Sequence, residues 1–176
     1  MNYRLAPDHP WPAGGEDVLS AVDWLAAHAA AFGGDARRIV LVGTSAGAVH
    51  IAGAVKLRPA LAVRGLVLLS GLYGYTAPEE RDTAYYGDPA LYADRAPREA
   101  MIATTLPTLL ACAEFDPPRF QAEWTELVRA RLARHGILPR CHYASGHNHY
   151  SMAMHLGTAD RRLASEIADF VQTCCA

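Results

Sequence analysis

The sequence predicts an α/β fold with a mostly parallel sheet and helices on both of its faces. Three observations carry this: strand-length runs that are apolar throughout, helix-length segments with one apolar face between them, and a glycine-bracketed serine at a strand-to-helix junction. Strands covered on both faces are apolar at every position, whereas a half-exposed strand alternates. With 176 residues, 51% of them hydrophobic, the chain can bury one core and is expected to form a single domain.

The elements follow in order. Gly14-Gly15-Glu16-Asp17 is an acidic helix entry, and Val18, Val22, Leu25 and Ala29 recur on one face of the helix behind it. Gly33-Gly34-Asp35 ends that helix. A strand is expected over 39–43, then a helix with Val49, Ala52 and Val55 facing inward. Leu66 to Leu69 and Leu109 to Ala113 read as the next two buried strands, and Arg140 to Ala144 as a short fourth one. Phe120, Trp124, Leu127, Val128 and Leu132 form the stripe of a helix before that last strand; Leu163, Ile167, Phe170 and Val171 form the stripe of a final helix. No internal repeat or dividing linker interrupts this alternation.

Residues 71–104 do break its rhythm, with tyrosines at 73, 75, 85, 86 and 92 punctuated by glycine and proline. The segment leaves the C-terminal end of a parallel strand, the side on which open α/β sheets place their ligands. It reads either as a pocket wall or cap, with Tyr73 and Tyr75 as candidate substrate-binding residues, or as a long connection packed against the body.

Charge and cysteine usage narrow the function classes. A net charge of −2, a single lysine at Lys56 and scattered arginines argue against a nucleic-acid partner. No apolar stretch reaches the roughly 20 residues that span a bilayer. Four cysteines occur without a CxxC pair; Cys112 and Cys141 fall in strand-like runs and are expected to be packing thiols of a reduced, cytoplasmic protein.

Gly43-Thr44-Ser45-Ala46-Gly47 fits a nucleophile elbow, in which a sharp strand-to-helix turn holds a serine hydroxyl clear of the sheet. Gly43 and Gly47 are expected where a side chain would crowd strand against helix, and the Ala46 N–H is placed to meet an oxyanion. A serine nucleophile needs a base and a group that orients the base. Two later strand ends supply them: Glu114 and Asp116 after the third strand, His147 and His149 after the fourth. The chain order is Ser, acid, His. His142, His147, His149 and His155 lack the Asp, Glu or Cys spacing of a regular metal site, so no metal is expected.

Tyr3-Arg4-Leu5-Ala6-Pro7, His9 to Ala13 with Glu16-Asp17, Gly34-Asp35 with Arg38-Ile39, and Gly43 to Gly47 together resemble the hormone-sensitive-lipase-like esterases of the α/β-hydrolase fold. That resemblance implies Ser45 as nucleophile, Asp116 of an Asp-Pro pair as acid and His149 as base, with His147 and Glu114 as the alternatives. Thr44, Pro118 and His149-Tyr150-Ser151 depart from the group's usual residues. The implied activity is hydrolysis of small-molecule carboxylic esters through an acyl-enzyme, without a cofactor, by a monomer or homodimer. Arylformamidase-like amide cleavage, or a binding module without catalysis, are the alternatives. The group also carries a His-Gly-Gly oxyanion loop upstream of Tyr-Arg-Leu-Ala-Pro. Residues 1–176 hold no such loop, so the chain is expected to be the C-terminal part of a longer, partial α/β-hydrolase fold.

Overall fold

Four parallel strands, β1 (Val40–Thr44), β2 (Gly65–Leu69), β3 (Thr108–Phe115) and β4 (Arg140–Asn148), lie side by side in chain order in the computed structural model, which describes residues 1–176. Successive side chains of a strand point to opposite faces, and both faces here are apolar. Leu66, Leu68 and Leu110 face one core with Val22, Val55, Met101 and Leu127. Val67, Leu69, Leu109 and Ala111 face the other with Met152, Leu163 and Phe170. Each fully buried leucine stabilises the fold by roughly 1.5–3 kcal/mol over an exposed one.

Helices α1 (Ala13–His28), α2 (Ala46–Leu57), α5 (Arg98–Ala103) and α6 (Pro118–His135) supply the first of these layers, and α8 (Arg162–Cys175) covers the second face. Short helices α3 (Glu80–Tyr86) and α4 (Tyr92–Arg95) lie in the 71–104 excursion, and α7 (Ser151–Met154) follows β4. Arg4 ties the leading segment to the start of α1: its Nε donates to Asp17 Oδ1 at 2.8 Å and its Nη2 to Glu16 Oε2 at 3.1 Å. That bond is the physical link between the separated Tyr3-Arg4 and Glu16-Asp17 pairs.

Several positions differ from expectation. Leu25 and Leu132 are exposed, so the apolar stripes of α1 and α6 are wider than the faces they bury. Val49 is half-buried and packs against Tyr86 and Tyr92, not against the sheet. Cys112 is buried as expected, but Cys141 is exposed. As partners in register with Leu110 and Cys112, Cys141 and Tyr143 share their face, but on the edge strand β4 both are exposed. The strand is also longer than expected, running on to pair Asn148 with Phe115 across an irregularity between Ala113 and Phe115.

The excursion is pinned to α6 by one side chain that sequence patterning did not single out. Glu123 is completely buried and accepts hydrogen bonds from the backbone N–H groups of Tyr73, Gly74, Tyr75 and Thr76 at 2.7–3.0 Å, and from the Thr76 hydroxyl at 2.6 Å. A buried carboxylate is tolerated only when donors surround it. Glu123→Ala would leave four buried or half-buried N–H groups unmatched, each costing about 1–3 kcal/mol. The expected outcome is a loss of at least about 3 kcal/mol, read as a lowered urea midpoint at unchanged slope.

Candidate active site

The C-terminal ends of all four strands contribute a polar group to one place. Ser45 follows β1, Ser70 follows β2, Asp116 follows β3 and His149 follows β4. The first two occupy the same strained conformation. Ser45 has φ 51° and Ser70 φ 48°, and they are the only non-glycine residues of the chain with positive φ. Such backbone costs on the order of 1–3 kcal/mol per residue and persists where the surroundings over-determine it. Here the ladder continues through both turns: Ser45 N–H donates to Leu69 C=O at 2.8 Å and Ser70 N–H to Ala111 C=O at 2.9 Å.

The turn at Ser45 is tight because strand and helix nearly touch. A Cβ on Gly43 would lie 2.6 Å from the Gly47 carbonyl carbon and 2.7 Å from Ile51 Cδ1. Gly43 therefore meets the expectation of crowding. Gly47 corrects it, since a Cβ there would meet open space; it is the Gly47 backbone, approached by Gly43, that makes the contact.

Ser45, His149 and Asp116 form one hydrogen-bonded chain. Ser45 Oγ lies 2.9 Å from His149 Nε2, and His149 Nδ1 lies 2.7 Å from Asp116 Oδ1. With Nδ1 donating to the carboxylate, Nε2 is left as an acceptor for the serine hydroxyl. The Asp116 side chain is fully buried and that of His149 is largely covered. The second carboxylate oxygen, Oδ2, accepts from the Ser70 hydroxyl at 2.5 Å and from the Ala113 N–H at 2.8 Å. Ser70 thus completes the site, although no local motif marks it. Phe120 packs its ring 4.3 Å from the imidazole of His149.

The two alternative residues are engaged elsewhere. His147 places Nδ1 3.2 Å from Ser151 Oγ and Nε2 3.0 Å from Asp160 Oδ2. Hydrogen bonds from Arg162, and from His147, hold the Asp160 carboxyl well below the usual range. Glu114 accepts from the Gly146 N–H at 2.7 Å, tethering the turn that leads toward His149.

Ser45 opens onto two hollows. The first, of about 290 Å³, is walled by Tyr3, Leu72, Tyr85, Tyr86 and Phe120, with Ala46 at its base. The second, of about 620 Å³, runs past His149, Tyr150 and Arg119. Tyr73 and Tyr75 line neither, which corrects their assignment as substrate-binding residues. Tyr73 is buried in the core, where burial raises its phenol far above the ordinary value, and Tyr75 lies beneath Arg98. Tyr85 and Tyr86, from α3 of the same excursion, face the hollow in their place. His50 also lines it, and burial pushes its imidazole below the ordinary value.

The fold is shared with known proteins. The chain belongs to the α/β-hydrolase family: the family described as alpha/beta hydrolase fold matches residues 1–153. Carboxylesterase NlhH of Mycobacterium tuberculosis is 51% identical over 47 residues, which are 27% of this chain and 15% of that protein. The versiconal hemiacetal acetate esterase of Dothistroma septosporum is 30% identical over 183 residues, covering 85% of this chain and 55% of that one. This chain therefore spans only part of each relative's length. A hyperthermophilic esterase from the archaeon Pyrobaculum calidifontis superposes with a TM-score of 0.77 at 22% identity, over 99% of this chain and 64% of that one, a likeness of fold. No helix here is long and apolar enough to cross a membrane.

Cys112 sits directly beside the site, with Sγ 3.4 Å from Asp116 Oδ2. Burial, reinforced by the carboxylate, pushes its thiol up to about 12. It stays protonated, and so unreactive, at every pH well below that value. At pH 8, iodoacetamide followed by peptide mass mapping should leave Cys112 unmodified in the folded protein and alkylate it once the chain is unfolded in urea.

Proposed function

We propose that this chain hydrolyses carboxylic esters as a serine hydrolase, with Ser45 as nucleophile, His149 as general base and then acid, and Asp116 as the group that orients the imidazole. The observation that carries the reading is the two-bond chain from Ser45 Oγ through His149 to Asp116, at 2.9 and 2.7 Å, on a strained turn. His149 Nε2 takes the hydroxyl proton as Ser45 Oγ attacks the ester carbonyl. Asp116 stabilises the imidazolium without taking the proton. The protonated His149 then gives its proton to the departing alcohol, leaving an acyl-serine. A water, deprotonated by the same nitrogen, attacks the acyl carbon; the bond to Ser45 Oγ then breaks, His149 returns the proton to Oγ, and the acid leaves.

The negative charge that develops on the carbonyl oxygen needs donors already in place. We assign one to the Ala46 N–H, the first residue of the twelve-residue helix α2. Its position at a helix N-terminus adds the favourable end of the dipole. One such donor is worth about 2.7–4 kcal/mol of transition-state stabilisation. The names of the relatives, a carboxylesterase and an acetate esterase, support esters with short acyl groups over amides.

Ser45→Ala should abolish covalent labelling by a fluorophosphonate probe while the circular dichroism spectrum is unchanged. Equal labelling of both forms would remove Ser45 from the reaction.

Steady-state hydrolysis of p-nitrophenyl acetate ranks the partners. His149→Ala should lower kcat at least about a thousandfold and Asp116→Asn roughly 10⁴-fold. His147→Ala and Glu114→Gln should each cost far less. Ser70→Ala takes one donor from Asp116 Oδ2 and should lower kcat about tenfold with KM little changed, since a charge-assisted hydrogen bond contributes about 1.5–3 kcal/mol.

A further inference from the structure

Every charged side chain around the two hollows is neutralised by a neighbour except one. Arg4 is held by Asp17 and Glu16. Arg119 is held by Asp82 at 2.6 Å and by Glu79 at 3.1 Å, which satisfies the two carboxylates of the lining as well. Arg81 makes no ion pair and no side-chain hydrogen bond with any residue. Among the arginines, only Arg134 and Arg161 share that condition, and neither lines a hollow beside Ser45.

Arg81 is also the charged residue common to both hollows, together with Ser45 and Phe120. Arg81 is exposed but has an aromatic neighbour. Its guanidinium carbon lies 5.6 Å from the centroid of the Phe120 ring, within cation–π range, and Phe120 in turn packs on His149. The stem is carried by α3, whose first turn is fixed by reciprocal bonds between Glu79 and Asp82. An arginine with its guanidinium over an aromatic ring and its donors unused, next to an apolar wall, suits a planar carboxylate that accepts two parallel bonds.

We propose that Arg81 is a specificity-determining residue, and that the esters this site takes carry a carboxylate in addition to the scissile ester. The carboxylate rests on Arg81 at the divide between the hollows, and the aromatic or apolar part of the same substrate lies against Tyr85, Tyr86 and Phe120. This rests on the ester-hydrolase reading of Ser45, and it adds the charge of the substrate to that reading.

The test compares 4-acetoxybenzoate with its uncharged methyl ester. Binding is measured by NMR titration on the full chain carrying Ser45→Ala, so that neither ester is consumed. The acid should bind about tenfold more tightly than the methyl ester, as expected for one charge-assisted bidentate contact. Arg81→Gln in the same background should bring the ratio close to one, and Arg81→Lys should restore part of it. A ratio near one with Arg81 present, failure of the acid to bind, or a preference that survives Arg81→Gln would each overturn the proposal. Hydrolysis of the methyl ester by the chain with Ser45 intact reports on the reaction separately. Absent turnover combined with a preserved, Arg81-dependent preference would strike down the hydrolase reading and leave the carboxylate site standing.

Discussion

A fully buried carboxylate governs the architecture around it. Asp116 has no exposed side-chain surface, and an uncompensated charge there would cost several kcal/mol. Its compensation comes from three separate strands: Ser70 from the end of β2, the Ala113 N–H from β3 itself, and His149 from beyond β4. Each of these must arrive at the right height along the sheet. The strained backbone at Ser70 is the local consequence, because only that turn aims its hydroxyl back at Oδ2 while its N–H still extends the ladder.

The same economy of strand ends explains the elbow. β1 stops at Thr44, and Ser45 must both continue the hydrogen-bond ladder to Leu69 and begin α2. The helix then lies so close to the strand that Gly43 has no room for a side chain. Tight packing and the half-buried, strained serine are one feature. A looser approach of α2 would relieve φ at Ser45 and would carry its hydroxyl away from His149.

Helix α6 organises the other half of the site. Its first turns carry Arg119, which holds α3 through Asp82, then Phe120, which packs on His149, and then Glu123, which gathers the N–H groups of residues 73–76. Three residues within five positions thus fix the imidazole, the start of the excursion and the helix that walls the first hollow. Arg119 takes up Asp82 and Glu79, the two carboxylates of the lining, and Arg81 lines both hollows without an ion pair.

What the linear chain determined by itself was local or periodic. Runs such as Leu66 to Leu69 have no polar position to turn toward water, so a parallel sheet covered on both faces follows from them directly. Ser45 was legible because its signal, glycine-serine-glycine at a strand-to-helix junction, lies within five residues. The pairs Glu114/Asp116 and His147/His149 could be placed at strand ends, but each pair shares one parity along an extended chain, so spacing could not choose between its members. The tertiary contacts differ: His147 is held by Ser151 and Asp160, whereas His149 Nε2 lies 2.9 Å from Ser45 Oγ. Ser70 and Glu123 were silent in sequence because their partners lie 46 to 50 residues away. The tyrosines show the limit most plainly. Nothing local separates Tyr73 from Tyr85, and only the docking of residues 73–76 onto buried Glu123 turns the first into the core and leaves the second to wall the hollow.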